Sequence, residues 1–317
     1  MDGLVLLATG GALPRRVVTN DDLSRMVDTS DEWVTSRTGI RERRFCSDDE
    51  TSTTLAIAAA RQALDRSGLA PEEIGCCVCA TITPEYATPS MACLVQKALD
   101  LPQSSPALDV NAACSGFLYG LAVARGLLIQ TGQRYALVIG SEQLTRLLDM
   151  ADRNTCVLFG DGAGAAVVEL RADTPFALTM GARGDTVITA GGPCLDGGSP
   201  LQMDGRAVFR FATETIPRCI QEALAQSSRT LAEVDWVVCH QANSRIIDHC
   251  TRKLGYADKF FKNLDHTGNT SAASIPLVLN ELYENGCLHK GQTLLCVGFG
   301  AGLTWAGTLL TFQGGTQ

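Results

Sequence analysis

The chain has 317 residues, 45% of them hydrophobic and 19% charged, with a formal net charge of −8. That apolar content can fill a large interior, roughly two domains by length, and the negative balance argues against general nucleic-acid binding. No apolar run approaches the ~18 uninterrupted residues of a membrane-spanning helix, so none is expected.

Met1-Asp2-Gly3-Leu4 has no basic segment ahead of its apolar stretch and reads as a first strand, not a signal peptide. The thirteen cysteines are odd in number and scattered, and the one CxxC spacing, Cys76 to Cys79, lies inside an apolar run. This argues against a disulfide framework and a zinc site, and fits a reducing cytoplasm. Ile74-Gly75-Cys76-Cys77-Val78-Cys79-Ala80 predicts a buried strand. Residues 106–110 predict another, and residues 117–130 a buried helix, since they carry too many large apolar side chains for a surface one. Between these two lies Asn111-Ala112-Ala113-Cys114-Ser115-Gly116, whose small residues allow a sharp turn and a close backbone approach. A thiol at a helix N-terminus feels the positive end of the macrodipole, which favours thiolate. Most cysteines are inert core residues, but this setting singles out Cys114 as a candidate nucleophile.

Gly160-Asp161-Gly162-Ala163-Gly164 and Gly298-Phe299-Gly300-Ala301-Gly302 could be taken for phosphate loops. A dinucleotide fingerprint opens a helix, whereas both segments run into apolar strands, so nucleotide binding is not expected of either. Glycines between strands can instead set backbone N–H groups against a reacting oxygen, which suits the second segment. Residues 181–206, with Gly191-Gly192-Pro193 and Gly197-Gly198-Ser199-Pro200, read as a long loop of functional interest.

Two internal echoes suggest duplicated α/β halves, residues 1–171 and 172–317. Residues 63–79 align without gaps on 223–239, each a helix end, a polar connection with Glu73 or Glu233, and a buried strand. Gly132-Gln133 and strand 136–139 likewise match Gly291-Gln292 and strand 294–297. Alternating helices and apolar strands favour mixed sheets covered by helices.

Of the four histidines, His240 follows the apolar strand ending in Cys239, a place where α/β active sites gather. His249 and His289 read as surface residues, and His266 is ambiguous. Asn269 precedes small residues that open a helix through Pro276, so by itself it could be a cap. Together Cys114, His240 and Asn269 make a nucleophile with two polarising groups. Nine basic residues lie between Arg206 and Lys262, a patch able to steer an acidic partner despite the net charge.

These segments give the chain a specific resemblance. Asp28-Thr29-Ser30-Asp31-Glu32-Trp33, Arg37-Thr38-Gly39-Ile40-Arg41-Glu42-Arg43, the Cys114 turn and Phe159-Gly160-Asp161-Gly162-Ala163-Gly164 come first. His240-Gln241-Ala242-Asn243, Gly268-Asn269-Thr270-Ser271 and Phe299-Gly300-Ala301-Gly302 follow in order. The whole chain resembles the β-ketoacyl-acyl carrier protein synthase III family, the thiolase-fold enzymes that start bacterial fatty-acid synthesis. The resemblance implies a five-layered αβαβα fold, a homodimer, no resident cofactor or metal, and thioester substrates. An acyl group would pass from acyl-CoA to Cys114, then condense with malonyl-acyl carrier protein as carbon dioxide leaves. His240 and Asn269 would hold the malonyl thioester oxygen, and the N–H groups of Cys114 and Ala301 the other oxyanion. Trp33 and Arg153 would stack on the adenine of coenzyme A, with Thr29, Arg37 and Asn243 nearby. Arg210, Arg245, Arg252 and Lys253 would face the carrier protein. Thr88 stands where some members carry a bulky aromatic that limits the acyl pocket, so longer or branched primers are expected.

Three other readings compete. A related condensing enzyme of specialised metabolism would use other starters or acceptors. A cysteine hydrolase also runs Cys, His, Asn in that order, but lacks its signature here. A silent partner subunit is disfavoured by the three intact residues.

Overall fold

The computed structural model describes residues 2–191 and 199–314. The first part of the chain carries β1 (Gly3–Ala12), β2 (Arg16–Thr19), α1 (Asn20–Leu23), α2 (Asp31–Thr38) and β3 (Glu42–Phe45). It continues with α3 (Ser52–Ser67), β4 (Ile74–Ala80), α4 (Met91–Ala98), β5 (Ala107–Val110), α5 (Gly116–Thr131), β6 (Tyr135–Glu142) and β7 (Gly162–Arg171). The second part carries β8 (Ala177–Ala182), β9 (Ile188–Thr189), β10 (Gln202–Met203), α6 (Gly205–Gln226), β11 (Trp236–Cys239) and α7 (Ser244–Leu254). It ends with α8 (Leu264–Thr267), α9 (Ser274–Glu284), β12 (Thr293–Gly300) and β13 (Thr304–Phe312).

Strand alternation dictates five layers. Successive side chains of a strand point to opposite faces, so a strand buried on both sides feeds two cores. In β4, Cys77 and Cys79 join Leu137 and Ile139 of β6 in a core shared with α3 and α4. Cys76 and Val78 point the other way, toward Phe117, Leu118 and Leu121 of α5. Val238 of β11 and Leu294 and Cys296 of β12 reach the same central core from the far side, with Ile275 and Val278 of α9. Val237, Cys239, Leu295 and Val297 then face a third core under α6 and α7. The order is helix, sheet, helix, sheet, helix, with mixed parallel and antiparallel pairing. One short parallel contact of β1 with β13, Val5 to Thr311 and Leu6 to Phe312, joins the two sheets.

The two parts keep the same register. Cys77 faces Leu137 and Cys79 faces Ile139; Val237 faces Leu295 and Cys239 faces Val297. Glu73 accepts the Ala70 N–H at 2.9 Å, and Glu233 accepts the Thr230 N–H at 2.8 Å. The conserved geometry of these connections gives the first sequence echo a physical basis.

Three expectations change. Residues 107–110 form an edge strand, only half-buried, because β5 pairs with β4 alone. Helix α5 is buried along one side, and Ile129 stands 48% exposed. By length and composition residues 113–131 could cross a membrane, but the helix packs between the two sheets as a core element. The segment 181–206 is not one long loop. It holds the end of β8, the β9–β10 pair and the start of α6, while residues 192–198 lie outside the described residues.

Candidate active site

Asn111 to Gly116 turns sharply from β5 into α5 through a 3-10 turn, Ala113–Ser115. Ala113 has φ +46°, a left-handed value that is strained for a residue with a side chain. The turn is tied down twice. Ser115 Oγ donates to Thr304 Oγ1 at 2.7 Å, and Thr304 Oγ1 donates to the carbonyls of Ala112 and Ala301, both 3.0 Å. One threonine thus holds the Cys114 turn against the Ala301 loop, a link the sequence did not suggest. Gly300 makes the approach possible, since a methyl group there would stand 2.6 Å from the Cys114 nitrogen.

Cys114, His240 and Asn269 line one cavity of about 940 Å³, together with Ala301. His240 lies just beyond β11, its N–H bound to the Val297 carbonyl at 2.8 Å and its ring edge-on to Phe299. Burial pushes its imidazole down to about 3, so the ring is neutral. Ser274 Oγ lies 2.8 Å from His240 Nδ1 and accepts the Gln241 N–H at 3.0 Å. With one lone pair taken by the backbone N–H, the hydroxyl proton is assigned to Nδ1. That leaves the proton of the ring on Nε2.

Asn269 is oriented by similar accounting. Its Oδ1 accepts the Ser271 N–H at 2.9 Å, which caps the following turn. The carboxamide NH₂ is left as the donor. A cap and a donor are therefore the two ends of one side chain.

The thiol departs from the thiolate expectation. Burial pushes Cys114 up to about 12, with the Glu142 charge adding to the rise and Ser271 opposing it. Desolvation outweighs the helix N-terminus, because α5 begins only at Gly116 and the sulfur lies inside.

Further out, Trp33 is half-buried at the cavity, with the guanidiniums of Arg37 and Arg153 lying 4.8 and 5.2 Å from its ring. Arg153 also donates to the Asp28 carbonyl at 3.0 Å. Asn243 lines the cavity, but both ends of its side chain are engaged: Oδ1 caps α7 through the Arg245 N–H and Nδ2 donates to the Arg37 carbonyl. Thr29 is not among the lining residues, and its buried hydroxyl has no partner among the described residues.

Thr88 stands apart from the other expected site residues. It is exposed on the connection between β4 and α4 and lies off this chain's own cavity. The apolar end of this chain's own cavity is formed by Ile82, Leu144, Phe159 and Leu201, which sequence reading missed because they come from four separate segments. Arg210, Arg245, Arg252 and Lys253 are exposed on α6 and α7, and Arg245 and Arg252 flank a small groove beside Phe209. Lys259 and Lys262 are spent locally, Lys259 on carbonyls of residues 231–234 and Lys262 on Asp248.

Asp161 accounts for the first glycine motif. It is buried and accepts the N–H groups of Cys46 and Thr145 at 2.8 and 3.0 Å. His266 lies outside the cavity and bridges Asp265 and Glu281.

Comparison with known proteins gives the family. Residues 108–184 match the family model 3-oxoacyl-[acyl-carrier-protein] synthase III, and residues 224–312 match its C-terminal counterpart. A β-ketoacyl-[acyl-carrier-protein] synthase III of Natranaerobius thermophilus is 42% identical, over 98% of this chain and 99% of that protein. The crystal structure of the Aquifex aeolicus 3-oxoacyl-[acyl-carrier-protein] synthase III superposes with a TM-score of 0.91. It is 42% identical and covers 98% of this chain and 100% of its own. A priming β-ketosynthase from a polyketide biosynthetic pathway superposes with a TM-score of 0.92 at 34% identity, covering 98% and 96%. With its thiolase fold and full-length match, the chain belongs to the β-ketoacyl-acyl carrier protein synthase III family.

Proposed function

We infer that the chain initiates fatty-acid synthesis as a decarboxylative condensing enzyme. Cys114 accepts an acyl group from acyl-CoA, and the acyl-enzyme condenses with malonyl-acyl carrier protein to give β-ketoacyl-acyl carrier protein, CoA and carbon dioxide. Both thioesters are substrates and no resident cofactor is needed. The observation that carries this reading is the convergence of Cys114, His240 and Asn269 on one cavity.

The proposed division of labour follows from donor geometry. The N–H groups of Cys114 and Ala301 would bind the oxyanion formed when sulfur attacks the acyl carbonyl. His240 Nε2–H and the Asn269 carboxamide would bind the malonyl thioester oxygen and stabilise the enolate as carbon dioxide departs. A neutral imidazole suits this, since it donates without adding a buried charge. Trp33 and Arg153 would hold the adenine of CoA, with Arg37, Asn243 and Thr29 around it. Arg210, Arg245, Arg252 and Lys253 would receive the acidic carrier protein. Ile82, Leu144, Phe159 and Leu201 would hold the primer.

A homodimer is supported by the open edge of β5, which has no second strand partner among the described residues. Thr88 can shape an acyl pocket only where a second copy brings it to the other cavity. The halves 1–171 and 172–317 form one duplicated unit in this reading, and the protein works in the cytoplasm. The likeness to a polyketide priming enzyme supports a second reading, condensation onto an acceptor of specialised metabolism.

Mass spectrometry after incubation with mixed acyl-CoAs tests the first step. An adduct on Cys114, absent in Cys114→Ala and discharged by malonyl-acyl carrier protein, is expected. No adduct, or release of free acid without a malonyl acceptor, would overturn the proposal.

A further inference from the structure

The acyl-transfer step leaves a proton unaccounted for. Burial has pushed the Cys114 thiol up to about 12, so it meets its substrate protonated. His240 cannot take the proton well, because Nε2 already carries one and Nδ1 accepts from Ser274. Behind the thiol lies a different acceptor.

Glu142 ends β6 and is 0% exposed. Its Oε2 accepts the Thr83 hydroxyl at 2.6 Å, the Ile82 N–H at 3.1 Å and the Thr81 hydroxyl at 3.4 Å. No ion pair to it is found among the described residues, so the carboxylate is held by neutral donors alone. A buried, unpaired carboxyl is costly to the fold, and such groups gather at functional sites. Its remaining neighbour is Ser271, 2% exposed and strained at φ +48°. The Ser271 hydroxyl closes no hydrogen bond of regular geometry. It lines the same cavity as Cys114, and the carbonyl of the next residue, Ala272, packs against Gly140 of β6, two residues ahead of Glu142. From there it favours the charged forms of both Cys114 and Glu142. A buried hydroxyl with no partner among the described residues, on a turn that neighbours both the thiol and the carboxyl, is suited to relay a proton.

We propose that Glu142, acting through the Ser271 hydroxyl, stores the Cys114 proton while the acyl group occupies the sulfur. The proposal rests on Cys114 being the acylated nucleophile. In acyl transfer the S–H proton passes to Ser271 Oγ as the Ser271 proton passes to the Glu142 carboxylate. The sulfur lone pair attacks the thioester carbonyl carbon. The bond from that carbon to the CoA sulfur breaks, and the CoA thiolate takes a proton from water. In condensation the enolate carbon attacks the same carbonyl, and the Cys114 sulfur leaves with its electron pair. Glu142 then returns the stored proton through Ser271. One solvent proton is consumed per turnover, leaving on CoA. Burial sets Glu142 at about 7, where it can both take and give a proton. The groups that face it are Thr81, Thr83, Ile82, Ser271 and, beyond Ser271, Cys114, the titratable one among them.

The test follows single-turnover acylation of Cys114 by acetyl-CoA from pH 5 to 10 in the full-length protein, Glu142→Gln, Glu142→Asp and Ser271→Ala. Alkylation of Cys114 by iodoacetamide runs in parallel without CoA. The Gln variant should acylate at least tenfold slower and lose the inflection near pH 7, with Asp restoring part of both. Ser271→Ala should match the Gln variant, and the double variant should be no slower than either. Unchanged rates and pH profiles, or multiplying effects in the double variant, would overturn the relay. If Glu142→Gln does not fold, Ser271→Ala decides alone. If the parent is alkylated but never acylated, the functional reading fails instead, and the alkylation profiles still judge the relay.

Discussion

Two turns meet at the centre of the molecule, Ala113–Ser115 ahead of α5 and Ser271–Ala273 ahead of α9. Each follows an asparagine, Asn111 or Asn269, by two residues, and each opens on a left-handed residue, Ala113 or Ser271. The Ser115 N–H bonds to Ala112 at 3.2 Å as the Ala273 N–H bonds to Thr270 at 3.0 Å. Each packs against a glycine of the opposite sheet: the first beside Gly298 of β12, the second beside Gly140 of β6. The backbones are alike, yet one presents a thiol where the other presents Ala272. The second turn contributes the carboxamide of Asn269 and the hydroxyls of Ser271 and Ser274. A strained turn is a general device for exposing a side chain, and the residue types decide whether it attacks or donates.

The sharpest break in that comparison is Asn269→Ala. It removes a donor from the second turn while leaving the thiol in the first. Condensation should fall roughly 10²–10³-fold, with acylation of Cys114 by acyl-CoA retained within a few-fold. Equal loss of both half-reactions, measured by single turnover, would contradict the division of roles.

The two glycines test how alike the backbones are. A methyl group at Gly140 would collide with the Ala272 carbonyl, whereas at Gly298 it would meet Ile275, Ser115 and Cys114 at 3.3–3.4 Å. Gly140→Ala should therefore cost about 3 kcal/mol and Gly298→Ala about 1 kcal/mol, read from urea unfolding. Equal costs would mean that the second turn shifts as easily as the first.

Ser274→Ala comes next. It leaves His240 free to take either tautomer, and should slow condensation about tenfold, near the worth of one hydrogen bond. Acylation should change little, because Ser274 lies outside the path of the Cys114 proton.

Much of this arrangement was legible from residues close together in the chain. The Cys114 turn stood out because small residues separate a strand from an apolar helix, and His240 because it follows one. Apolar runs such as Cys76 to Cys79 predicted mixed sheets covered by helices, and the count of five layers came with the family resemblance. Features built across segments were hidden. Leu144 and Leu201 meet at one end of the cavity, Thr304 ties two loops, and Glu142 backs the thiol. Each looks ordinary beside its chain neighbours. Ser271 and Ser274 read only as small helix-opening residues, because the groups they face lie far away in the chain, His240 and Gln241 for Ser274. The thiolate expectation failed for a related reason: a helix end is visible in sequence, whereas the depth of burial is not.

The segments leading into the two turns differ most. Asn111 follows β5, while Asn269 follows the short helix α8. Helix α8 packs on β3 and accepts the Arg41 N–H at the Asp265 carbonyl, 2.8 Å; His266 adds a charged tie, its Nε2 3.2 Å from Glu281 of α9. Glu281 is the main cause raising the imidazole to about 9, with Asp265 adding to it. The folded value lies above the ordinary ~6.5, so this stabilisation is complete below about pH 6.5 and disappears as pH rises through 9. His266 is 39% exposed, and solvent screening limits the effect to about 1 kcal/mol. His266→Gln should remove that portion of the pH dependence, measured as the parent-minus-variant difference in urea midpoint at pH 6 and pH 9.5. A difference that stays constant across this range would mean that α8 is fixed by its packing instead, and that the second turn needs no charged anchor.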